Sequence, residues 1–227
     1  MLIQLLRENP VLFLILAPVL LLSLTLHEFA HARIALAFGD PTALRAGRVT
    51  LNPLRHLDPL GTIMLLLAGF GWAKPVPVNP YHIRPLRLGN IMVSLAGPLS
   101  NLCLAIFAGC LLQILINSSF LKLLGDRGIL VIDALLVTLA VNVCLCVFNL
   151  VPLFPLDGSH ILGELLPVRL QAGFMHWQMK YGMLLLLVLV AGPGLFSQLL
   201  HQPMPDPLGW LLSHTMHITE RLVGLVL

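Results

Sequence analysis

The chain has 227 residues, 58% of them hydrophobic and only 10% charged, with a formal net charge of +3 and a mean hydropathy of +0.93. A soluble domain carries roughly 25% charged residues, so this composition excludes a water-soluble globule. The positive charge is too small and scattered to point to nucleic acid, and no nucleic-acid partner is expected.

What remains is an all-α polytopic membrane protein forming one domain over residues 1–227, with the lipid bilayer as its first partner. The N-terminus resembles a signal peptide, with Arg7 ahead of an apolar run from Val11. That run continues far past the roughly 7–15 residues of a signal core and meets no small-residue cleavage site, so it reads as a retained span. Cys103, Cys110, Cys144 and Cys146 lie in apolar runs without CxxC spacing and read as small buried side chains.

A helix crosses a bilayer in about 20 residues, and about four stretches qualify: Val11–Phe38, Leu88–Ile116, Ile129–Val151 and Tyr181–Leu200. Between the first two, Leu60–Trp72 is too short to span and is broken by glycines, and the KPVPVNP that follows cannot be helical. Residues 45–80 therefore read as a short re-entrant or β-hairpin segment beside a wet cavity. The last stretch, Leu208–Leu227, carries His214, His217, Glu220 and Arg221, and reads as an interfacial helix or a fifth span. The first connection holds Arg45, Arg48, Arg55, Lys74, Arg84 and Arg87, against Arg7 before it and Lys122 and Arg127 after the second span. The positive-inside bias places that connection in the cytoplasm and the N-terminus outside.

Inside the first span lies H27-E-F-A-H31. Positions i and i+4 share a helix face, so His27 and His31 can bind one zinc ion, with Glu28 placed to take a proton from water. Ionisable groups within a span are costly and functional by default. Arg33, near the cytoplasmic end, needs only to snorkel to the headgroups. A catalytic zinc takes three protein ligands. The loop histidines His56, His82, His160, His176 and His201 are candidates for the third. His214 and His217, with Glu220, have metal-like spacing but read as a solvated face.

Asp157, in N149-L-V-P-L-F-P-L-D-G158, is the sharper candidate. It follows the third span, which runs in the same direction as the first, so His27, His31 and Asp157 fall at similar depth toward the cytoplasm.

These residues resemble the site-2 protease family of intramembrane zinc metalloproteases, in its small bacterial and archaeal form. H27-E-F-A-H31 and the N149–G158 stretch carry the resemblance, supported by G97-P-L-S-N101, L51-N-P-L-R-H-L-D-P-L-G-T-I63 and F70-G-W-A-K-P-V-P-V-N-P80. The resemblance implies regulated cleavage of transmembrane substrate proteins by a multi-pass enzyme of the cell membrane. It implies a catalytic core of about 11–163, accessory C-terminal helices of about 175–227, and one Zn2+ per chain held by His27, His31 and Asp157. Glu28 would be the general base and Asn149 a donor to the substrate carbonyl. Gly97 and Asn101 read as close helix packing. Longer family members carry a PDZ-like or CBS domain, for which these 227 residues leave no room. Two rival readings use the same residues: a prenyl-protein type of membrane protease with Glu164 as third ligand, and a membrane metal-binding protein or transporter.

Overall fold

In the computed structural model the described residues are 2–68, 71–118, 123–201 and 205–222. A short α1 (Leu2–Glu8) leads into α2 (Pro10–Ala37). The Asn9 side chain accepts the Leu12 amide at 3.0 Å and Pro10 opens the helix, a cap that satisfies the first free donors. Gly39, at φ 98°, terminates it in the left-handed region, where a side chain would be strained. After α3 (Thr42–Arg45) and α4 (Pro59–Ala68) come α5 (Leu86–Asn117) and α6 (Asp126–Asn149), which ends where Pro152 and Pro155 forbid continuation. Then follow α7 (Asp157–Leu165), α8 (Val168–Trp177), a π turn over Gln178–Gly182, α9 (Met183–Leu200) and α10 (Pro207–Leu222).

Among the described residues four helical stretches are long and apolar enough to cross a membrane: Pro10–Ala37, Leu86–Asn117, Arg127–Asn149 and Val168–Leu199. The first three agree with the spans read from the sequence to within three residues. The fourth begins well before Tyr181, because α8, the π turn and α9 form one continuous helical rod. Arg169, Gln171 and His176 conceal α8 from a hydropathy reading. Among the described residues α10 is not a spanning candidate, and residues 223–227 of the Leu208–Leu227 stretch lie outside them.

The core is α5 packed between α2 and α6. Its seams are lined by small residues, with Ala32, Ala35, Ala105 and Ala108 buried. Helices in lipid gain nothing from hiding leucine, so close backbone approach and interhelical hydrogen bonds take over. Met216 of α10 packs on the α5–α6 seam.

Segment 45–80 corrects the expectation of a re-entrant segment or β-hairpin. It holds a 3-10 turn at Pro53–Arg55, the helix α4 and an extended run, and among the described residues its pairing is one isolated bridge, Leu57 to Ala73. Prolines at 75 and 77 withhold the donors that a longer ladder requires. Side-chain clips hold the segment instead. Arg48 is buried and donates to the carbonyls of Lys74 and Pro75, at 2.5 and 3.1 Å. Asp40, fully buried, accepts from the Thr42 hydroxyl at 2.5 Å and the Asn79 amide at 2.6 Å, and pairs with His82 at 3.2 Å. Burial opposes its ionisation, but these bonds outweigh burial and hold the carboxyl below the usual carboxylate range.

Candidate metal centre

His27 and His31 lie on the buried face of α2, 6% and 8% exposed, with their Nε2 atoms 3.0 Å apart. Asp157 opens α7 and brings its Oδ2 to 3.2 Å from Nε2 of His27 and 3.4 Å from Nε2 of His31. These are the three residues that the sequence reading selected. Among the described residues they form the one cluster of three or more His, Cys, Asp or Glu ligand atoms lying within 4.8 Å of one another.

The other ring nitrogens are engaged. His31 Nδ1 lies 2.7 Å from the Val93 carbonyl, which can only accept, so Nδ1 carries the hydrogen. His27 Nδ1 lies 2.6 Å from Oδ1 of Asn101. Both rings thereby direct an Nε2 lone pair at one point, toward which Asp157 Oδ2 also turns. That oxygen is buried without a hydrogen-bond partner. Three electron-pair donors facing each other out of water are unfavourable alone and suit a divalent cation. Two imidazoles and a carboxylate are a donor set that zinc accepts. Gly97 leaves the space, since a Cβ there would lie 2.4 Å from Nε2 of His31 and 2.5 Å from Nε2 of His27.

Glu28 is half-buried, and its carboxylate makes no hydrogen bond among the described residues. Asn149, the last residue of α6, donates its amide to the Leu145 carbonyl of its own helix at 2.9 Å. Glu164 stands outside the cluster and accepts from Asn90 at 2.6 Å, so the acid at the histidines is Asp157. The remaining histidines have other surroundings: His56 is buried against the Thr50 carbonyl at 2.8 Å, His82 pairs with Asp40, and His214 lies on Trp210 with ring centroids 4.3 Å apart. Arg33 is exposed. Phe70 of the supporting motif and Lys122 lie outside the described residues.

Two features differ from the sequence reading. Asn101 makes polar contact with His27, whereas its GxxxN spacing suggests packing alone. Behind it stand Asn142 of α6 and Ser23 of α2, both fully buried, which no motif marked. The only available signal was the presence of asparagine in an apolar span.

Four membrane-spanning candidates among the described residues, together with a His-His-Asp cluster whose histidines are buried, define a multi-pass membrane protein with the donor set of a zinc metalloprotease. The chain is 44% identical over 174 residues to "Putative zinc metalloprotease YwhC" of Bacillus subtilis, a match covering 77% of this chain and 78% of that protein. It is 32% identical over 183 residues to "Putative zinc metalloprotease Rip2" of Mycolicibacterium smegmatis, covering 77% and 66%. It is 30% identical over 138 residues to "Putative zinc metalloprotease MJ0611" of Methanocaldococcus jannaschii, covering 60% and 62%. Neither a family model nor a solved structure matches it. The chain belongs to the site-2 protease family of intramembrane zinc metalloproteases.

Proposed function

We propose that this protein hydrolyses peptide bonds within or near the transmembrane segments of substrate proteins, using one zinc ion held by His27, His31 and Asp157. The observation that carries the proposal is the convergence of those three donors inside a bundle of membrane-spanning helices. When bound, zinc supplies a Lewis acid that polarises the scissile carbonyl and lowers the pKa of water toward about 7.

The chain's residues do the rest. Glu28, one position round the helix from His27, takes the proton of the attacking water and delivers it to the leaving amine. Asn149 exchanges its bond to Leu145 for one to the developing oxyanion. A substrate helix must first unwind, because its carbonyls are shielded within it. The extended run 74–79, clipped at Pro75 by Arg48, offers Val76 and Val78 on one edge for strand addition. The six basic residues of the first connection orient this site toward the cytoplasm. Residues of about 11–163 carry the catalytic core, with the later helices as accessories.

Purified Glu28→Ala should retain zinc and cleave a transmembrane substrate about 100-fold more slowly or worse. Undiminished cleavage would remove Glu28 from the mechanism. Cleavage by the wild type that persists in a strong chelator would remove the metal from it.

A further inference from the structure

The buried amides behind His27 form a chain whose hydrogens can be assigned from one end. Asn142 places Nδ2 2.9 Å from the carbonyl of Thr138, an obligate acceptor, and 2.8 Å from Oγ of Ser23. Its amide nitrogen must therefore face those atoms, and its Oδ1 must face Asn101. Asn101 Nδ2 then donates to that Oδ1 at 2.8 Å and to the Ser23 carbonyl at 3.4 Å. The Asn101 Oδ1 is thereby turned toward His27, 2.6 Å away, and can only accept. His27 has to carry its hydrogen on Nδ1, which leaves the lone pair on Nε2. Reversing either amide would set two donors or two acceptors against each other in a site where Ser23, Asn101 and Asn142 are all fully buried. A buried hydrogen bond left unmade there costs the full desolvation of the group, so neither reversal is favoured.

We infer that Asn142, on the third span and hydrogen-bonded to Asn101, Ser23 and Thr138 rather than to a ligand residue, is a positioning residue for metal binding: acting through Asn101, it fixes His27 in the tautomer that presents Nε2 to the metal. The inference rests on the reading of His27 as a zinc ligand. His31 has the simpler arrangement, with a main-chain carbonyl in the corresponding place. At His27 the acceptor is a side-chain amide, with an oxygen and a nitrogen of nearly the same shape, so something must hold it the right way round. Outer-shell partners of this kind are typically worth about 10–100-fold in metal affinity.

The test measures zinc affinity of the full chain in detergent, by competition with a chelator, with circular dichroism to monitor folding. Asn142→Leu removes the orienting amide at similar size and should weaken zinc binding about 10–100-fold with helicity retained. Asn142→Ala asks the same question with less apolar bulk if the leucine variant does not fold. Adding Asn101→Asp to the Asn142 variant should restore affinity to within a few-fold of wild type, because a carboxylate accepts from Nδ1 whichever way it turns. Packing damage at position 142 would not be repaired by that change. Folded Asn142 variants with wild-type affinity would overturn the inference, and so would a double variant that binds no better than the single one. Zinc binding unaffected by His27→Ala would overturn the ligand reading itself, a result distinguishable from either.

Discussion

At the scale of single residues, the site combines what a local motif can reveal with what it cannot. The meeting of His27 and His31 is legible because i, i+4 spacing on a helix is itself a geometry. Asp157 is legible because the prolines before it stop the helix and the span count puts it at the right depth. Gly97 and Asn101 are visible as residues but not as roles, since a small residue and an amide four positions apart signal helix packing as readily as ligand support. The structure separates the two by distance. A methyl group at position 97 would fall well inside van der Waals contact with Nε2 of both His27 and His31. Gly97→Ala should therefore lower zinc affinity beyond the 10–100-fold typical of outer-shell changes. Alanine is favoured over glycine within a helix by about 1 kcal/mol, so a weakened α5 is not the expected cause. Isothermal titration with zinc alongside helicity checks this, and unaltered affinity in Gly97→Ala would mean that the histidines do not meet over this glycine.

At the scale of elements, the spans were legible because 20-residue apolar runs have few alternatives, whereas the pieces between them follow tertiary contacts. The connection between the first two spans contains prolines and glycines that suit a hairpin, yet buried Arg48 and Asp40 use side chains to satisfy its backbone. No periodicity could have announced that. The π turn at Gln178–Gly182 is a second case. It sits where the polar α8 continues into the apolar α9, and its widened geometry accompanies a fully buried Gln178. That side chain donates to the Pro152 carbonyl at 2.8 Å and accepts from the Phe154 amide at 2.9 Å. The fourth span thus grips the loop between Asn149 and Asp157, a placement consistent with the use of π turns at functional sites. Gln178→Leu would remove both of these part-buried hydrogen bonds, at a cost of about 1 kcal/mol each. Thermal unfolding of the metal-free protein should show that loss, together with weaker zinc binding as Asp157 loses its hold. A variant as stable and as tight-binding as wild type would show that the loop stands without the fourth span.

At the scale of the whole molecule, the centre lies where the most closely packed elements of the chain, α2, α5, α6 and α7, come together. Its candidate donor atoms come from α2 and α7, α5 supplies the Val93 carbonyl and Asn101, and α6 supplies Asn142. Three spans and the short helix α7 therefore meet at a cluster of lone pairs that repel each other until a cation is present. Such a site binds metal only when the bundle is assembled, so metal binding and folding are linked. A ligand that binds only the folded state adds about 2.7 kcal/mol at a free concentration 100 times its dissociation constant. For a chain of this length that corresponds to a rise in Tm of roughly 5–10 °C, at about 2–4 °C per kcal/mol. The wild type in detergent should therefore unfold at a higher temperature with zinc than with a chelator. His27→Ala and Asp157→Ala should each abolish the difference, while Glu164→Ala should retain it, because Glu164 is bonded to Asn90 and not directed at the histidines. Equal shifts in wild type and His27→Ala would mean that zinc stabilises the bundle from some other place, and the ligand set would have to be redrawn.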